Sequence, residues 1–233
     1  MPKKLVYKPT SKILTEIAEL FNLFTNSSGE AQSALGTSLL TASVRLLEGV
    51  VNTAIWNMRI NEKLKEGLDR LQLVDKFDLS LYFRRQTQLD RSHHLVGNII
   101  KMSKNRNDTT HPHILESEIE AISHDEETKA IHLRTSKYPY TPKIDEVLNS
   151  LRSTFNFLDV YLIDLCKCDS AFISMLLSEE VHYQNGAMGS LQAITLINSR
   201  KALESGLNIT IQFLSYVSTI QQQDQASTIT ITS

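Results

Sequence analysis

The sequence predicts a mostly α-helical bundle with a small inserted β-hairpin and a C-terminal helical extension. Three observations carry that expectation. Apolar residues recur at steps of three and four along most of the chain, the spacing that puts them on one face of a helix. No internal repeat and no Pro-rich linker divides the chain, and 41% hydrophobic residues among 233 supply one conventional core. The 24 Lys and Arg nearly balance the 26 Asp and Glu, for a net charge of -2. That balance excludes a protein that coats nucleic acid non-specifically, so any RNA would be handled at a local site.

The first helix is marked by Ile13, Leu14, Ile17, Leu20, Phe21 and Phe24, and the turn residues Asn26, Ser27, Ser28 and Gly29 end it. A longer one follows in SALGTSLLTASVRLLEGVVNTAIWNM, where Leu35, Leu39, Val44, Leu47, Val51 and Ile55 belong to one apolar stripe. Leu64, Leu68 and Leu71 predict a third helix from Leu64 to Val74. In KFDLSLYF the residues Phe77, Leu79, Leu81 and Phe83 alternate as in a strand, but the helical flanks favour a helix. A helix through Ile99, Ile100 and Met102 should stop at Thr110 or His111. Pro112 has no N–H to donate and crowds its predecessor out of the α region.

Beyond Pro112, EIEAIS and IHLRTS alternate apolar and polar residues around the acidic turn HDEETK, which reads as an exposed hairpin. Thr141 is a candidate N-cap with Pro142 in the first helical position. Ile144, Val147, Leu151, Phe155, Leu158, Leu162 and Leu165 then mark a helix running to Cys166. A loose stretch with Asn185, Gly186 and Gly189 leads to a last helix through Ile194, Ile197, Leu203, Ile211 and Leu214. The polar tail QQQDQASTITITS is expected to be disordered. The resulting division is a helical bundle over 10–166, a helical extension over 167–220 and a tail over 221–233.

Cys166 and Cys168 lie one residue apart in the predicted helix, where their side chains should diverge. No second pair completes a zinc site, and the expectation is a reducing compartment. MPKKLVYKPT lacks the apolar run of a secretory signal, and no stretch is expected to approach the ~20 apolar residues of a membrane span. Both point to a cytosolic protein without a membrane partner.

The chemistry-bearing stretch is KNRNDTTHPH, residues 104–113. Arg106 lies just over one turn before His111, so the two side chains are expected at a helix end facing one solvent-filled cleft. One is permanently cationic and the other titrates near neutrality. Arg106, Asn107 and His111 spell R-N-x-x-x-H, and on that motif the chain resembles the HEPN superfamily. The early helix with LEGVVN, including Glu48 and Asn52, is similar to that family's early helix, and the resemblance covers roughly residues 10–166.

The resemblance implies a HEPN-like helical bundle and a metal-independent endoribonuclease that needs no cofactor. Arg106, Asn107 and His111 would be catalytic, with Glu48, Asn52 and His113 in support. It further implies an RNA substrate, a homodimer with a composite active site, and a role as a toxin or an anti-phage or stress effector. An antitoxin or defence-system protein would be its partner. The residue types suit metal-free RNA cleavage. Histidine can take the 2′-hydroxyl proton, and the arginine fork can hold phosphate oxygens by paired hydrogen bonds. Asn107 can bind a phosphate or ribose oxygen or orient His111.

Other readings of the same residues remain open. Arg106 can cap a helix C-terminus beside a surface histidine, and Glu48 can pair with Arg45 or Arg106 for structural reasons alone. A metal site drawn from His93, His94, His111 and His113 lacks an organised carboxylate partner, and adjacent His93 and His94 should diverge on a helix. The principal alternative is a non-catalytic dimerisation or RNA-binding module.

Overall fold

In the computed structural model the described residues are 2–6, 9–58, 60–110, 119–124, 129–133, 142–177, 179–183, 188–191 and 193–216. His111 and His113, and the tail expected to be disordered, lie outside them. The chain is a mostly helical bundle with short strands at its edges.

Helix α1 (Thr10–Thr25) packs against α2 (Gly29–Trp56). Between them Gly29 adopts the left-handed conformation at φ 61°, which a Cβ would make costly. Helix α2 is the centre of the bundle, burying Leu39, Val44, Leu46, Leu47 and Val51 against several neighbours. Burial on nearly every side explains its composition. Contrary to expectation, this helix is long and apolar enough to cross a membrane, although most of the apolar window is covered by the bundle itself.

The third predicted helix is two. Helix α3 (Glu62–Asp69) starts where the Asn61 side chain accepts the Leu64 N–H at 2.8 Å, and α4 (Leu73–Arg85) starts after Gln72, which is extended at ψ 152°. Leu64 and Leu71 are exposed and only Leu68 is buried, so the leucine spacing had no continuous groove to fill. Helix α4 resolves the alternating KFDLSLYF as helix. Phe77 and Leu81, one turn apart, are fully buried while Phe83 faces solvent. Gln86, left-handed at φ 57°, returns its N–H to Tyr82 O at 2.8 Å and ends the helix.

Helix α5 (His94–Thr110) packs between α2, α4 and α6 (Ile144–Asp159) and ends where Pro112 predicts. The expected hairpin forms from β2 (Ile119–His124) and β3 (Lys129–Leu133), antiparallel with His124 opposite Lys129. Helix α6 begins two residues later than predicted. Pro142 precedes it and Lys143 is the N-cap, with its backbone N–H donating to the Glu146 carboxylate at 3.1 Å. The helix does not run regularly to Cys166. From Val160 to Leu165 it widens into a π-helical turn, in which Tyr161 packs edge-on to Phe77 with ring centres 4.6 Å apart.

The expected loose stretch contains strands. After α7 (Ser170–Leu177), β4 (Glu179–Tyr183) pairs with β5 (Met188–Leu191), and the N-terminal β1 (Pro2–Val6) adds to the other edge of β4. Helix α8 (Ala193–Leu207) then packs on α1. It ends earlier than predicted because Asn208 turns left-handed at φ 53°, and Ile211 and Leu214 reach the core from the following loop and a 3-10 turn, Phe213–Tyr216. Residues from the bundle and from the C-terminal segment share one hydrophobic core.

Candidate functional site

The contact of α2 with α5 brings Glu48 to Arg106. Arg106 Nη2 donates to Glu48 Oε1, with the arginine side chain 20% exposed and the glutamate 35%. The expectation that Arg106 stands out into solvent is therefore corrected. Its position on α5 puts it on the same side as buried Ile99 and Met102, three and four residues apart along the helix, so it faces α2. Of the two structural partners expected for Glu48, Arg106 is the one found. Arg45 binds Glu16 instead, at 3.0 Å.

Asn52, one turn beyond Glu48, meets a residue that sequence reasoning missed. Lys76 of α4 is buried, and its ammonium donates to Asn52 Oδ1 at 3.0 Å and to Asp69 Oδ1 at 3.3 Å. The available sign was a lone lysine among the apolar residues Leu73, Val74 and Phe77. A charge in the core requires partners. Glu48 and Asn52 thus order two cations, Arg106 and Lys76, along one side of α2.

Asn107 is exposed on the last turns of α5. His111 and His113 fall outside the described residues, so the distance between Arg106 and His111 forms no part of the geometry. What α5 does provide is an unbroken helix to Thr110, immediately before His111. A polar cavity of about 180 Å³ opens on the adjoining face, where Asn98, Lys101 and Asn105 of α5 oppose Asn149, Ser150 and Ser153 of α6. Asn98 donates to Ser153 Oγ there at 2.9 Å.

Two further expectations change. His93 precedes α5 rather than lying within it, and its ring stacks on His94 with centres 4.5 Å apart instead of diverging. Its Nδ1 accepts the Leu95 N–H at 3.3 Å, which makes it a helix cap. Among the described residues no cluster of three or more His, Cys, Asp or Glu could hold a metal ion.

Cys166 and Cys168 converge, because Lys167 between them is left-handed at φ 50° and turns the chain. Both thiols lie close to Tyr161, whose hydroxyl donates to Phe77 O at 3.3 Å. The neighbouring Cys168 thiol lowers the Cys166 pKa, whereas Cys168 is pushed up by Cys166 and by burial. Burial is also what raises Tyr161 well above the usual phenol range.

Fold and site together define a class: a helical protein whose central helix positions an arginine near a helix end and a buried lysine on the next helix. Comparison with known protein families, curated proteins and solved structures finds no match in any of the three.

Proposed function

We propose that the chain is a metal-independent endoribonuclease of HEPN type. The observation that carries this reading is the placement of Arg106 on the last turns of α5, its guanidinium oriented by Glu48 and only just over one turn before His111. An arginine fixed in this way spends less conformational freedom on gripping a phosphate than a mobile surface arginine does. In the proposed reaction His111 removes the 2′-hydroxyl proton, that oxygen attacks the adjacent phosphorus, and the 5′-oxygen leaves with a proton from a second acid. Arg106 stabilises the charge that develops on the phosphorane, and Asn107 binds an oxygen of the same nucleotide. One motif supplies one histidine, so a two-fold homodimer would provide both base and acid. The cavity between α5 and α6, where amides, hydroxyls and Lys101 stand beside the Glu146 carboxylate and Met102, supports a flanking contact through the base or sugar of a nucleotide. A toxin or defence role, with an antitoxin or defence-complex partner and a cytosolic location, belongs to this proposal.

The deciding experiment incubates purified protein with single-stranded RNA beside His111→Ala. The expected result is cleavage that survives excess chelator, leaves 2′,3′-cyclic phosphate ends and disappears in the variant. Chelator-sensitive cleavage leaving a free 3′-hydroxyl would overturn the mechanism. A second reading, a non-catalytic RNA-binding or dimerisation module, is favoured by the ion pair that already engages Arg106. RNA binding without cleavage at any protein concentration would select it.

A further inference from the structure

A separate cavity, of about 320 Å³, lies at the C-terminal ends of α2 and α4. Met58, Ile60 and Phe83 form its apolar side, and Asn57, Ser80 and Arg84 its polar side. Asn57 is nine residues beyond Glu48. That spacing is about 14 Å along the helix and two and a half turns, so the cavity opens on a different face of α2 from the Arg106 pair.

Arg84 sets the chemistry. Its guanidinium carbon sits 4.0 Å from the centre of the Phe172 ring, on α7. A cation–π contact with the ring face does not use up the guanidinium N–H donors, which remain able to grip a phosphate or carboxylate. Arg45, Arg91, Arg106 and Arg200 each pair with a carboxylate, but among the described residues no carboxylate pairs with Arg84. Arg85, exposed beside it, adds to the positive potential. The ligand is therefore an anion.

The remaining walls select the body of that anion. Phe83 is 43% exposed and, beside its edge-on contact with Tyr82 at 6.3 Å between ring centres, offers an aromatic surface against which a flat ring can stack. The Asn57 amide nitrogen donates to Thr53 O at 2.7 Å, so the acceptor that this lining residue retains is its carbonyl oxygen. The volume is at the low end of the ~300–1,000 Å³ usual for small-molecule sites, enough for one base with its sugar and phosphate.

We propose that this cavity binds a single nucleotide, its phosphate on Arg84 and its base against Phe83. The nucleotide could be free or part of an RNA strand, and the site stands whether or not the chain cleaves RNA. Full-length protein carrying His111→Ala, so that no substrate is consumed, is titrated calorimetrically with the four nucleoside monophosphates, the parent nucleosides, inorganic phosphate and benzoate.

At least one monophosphate should bind in the millimolar range or tighter, and removing its phosphate or its base should weaken binding tenfold or more. Adding Arg84→Gln should weaken it at least tenfold, Arg84→Lys should restore part, and Phe83→Ala should also weaken it. Both side chains are exposed, and unchanged thermal melts will show that the variants fold. A labelled single-stranded RNA identifies the source. Arg84-dependent RNA binding displaced by the monophosphate means a strand, and monophosphate binding that RNA does not displace means a free nucleotide. No binding at about 5 mM, affinity unchanged by Arg84→Gln, or benzoate binding as well as the nucleotides would overturn the proposal. Failure of RNA cleavage would leave it standing.

Discussion

Arg106 and Lys76 show how a single side chain can be both part of a site and part of the fold. A buried or half-buried charge is tolerated because a partner is in place, and removing that partner leaves the charge desolvated and uncompensated. Arg106→Ala should therefore do more than stop the proposed RNA cleavage. It should destabilise the protein by about 1–2 kcal/mol in urea unfolding, above the ~0.5 kcal/mol typical of an exposed polar residue, because Glu48 loses its cation. Glu48→Gln, which keeps an acceptor, should lose less stability than Arg106→Ala. Equal stability of all three proteins would mean that the pair contributes nothing to the fold. The cysteines allow another check at this scale. Both thiols are buried, so iodoacetamide should modify neither in the folded protein and both after denaturation, as read by intact mass.

Between elements, close approach decides what each helix tolerates. A Cβ on Gly206 of α8 would collide with a ring carbon of Phe21 on α1, itself buried, whereas a Cβ on Gly97 of α5 would meet nothing within 4 Å. Gly206→Ala should destabilise by about 1–3 kcal/mol through overpacking, despite the helix propensity it gains. Gly97→Ala should stabilise by about 0.5–1 kcal/mol. Thermal melts of the two variants should move in opposite directions.

Asp159 ties the end of α6 to the C-terminal 3-10 turn by accepting the N–H groups of Gln212 at 2.9 Å and Phe213 at 2.8 Å. Burial raises its pKa above the usual 3.8 in spite of those bonds. A raised folded pKa means that this group's contribution is fully present below the unfolded value and is lost as pH rises through the folded one. The stability of the wild type relative to Asp159→Asn should therefore fall from about pH 3 upward towards neutrality, as measured by urea unfolding at successive pH values. A difference independent of pH would remove Asp159 as its source.

For the whole molecule, the proposed chemistry requires two copies. A chain with one R-N-x-x-x-H motif should sediment as a two-fold dimer, and its specific RNA-cleaving activity should fall on dilution below the dimer dissociation constant. Mixing Arg106→Ala with His111→Ala protein should restore no activity, because the composite site draws its base and its acid from the His111 of both copies. A monomer fully active at every dilution would remove the composite site.

The helical class was legible without coordinates because the apolar spacing of α1, α2 and α6 is set by their own burial, and burial of one face is what that spacing encodes. The end of α5 was legible because Pro112 acts locally. The β2–β3 hairpin was legible because its alternation and acidic turn lie in one short stretch. What the sequence left undetermined was non-local. The split between α3 and α4 depends on which leucines find a groove, and the addition of β1 to β4 joins residues at opposite ends of the chain. Arg106 could be singled out from its spacing to His111, and Asn107 from the resemblance to the HEPN motif. That Glu48 holds Arg106, that Asn52 holds Lys76, and that Arg84 lies over Phe172 above a cavity depend on how α2, α4, α5 and α7 pack. Side-chain partners brought together across tens of residues leave no periodic trace in the chain, and only tertiary packing selects them.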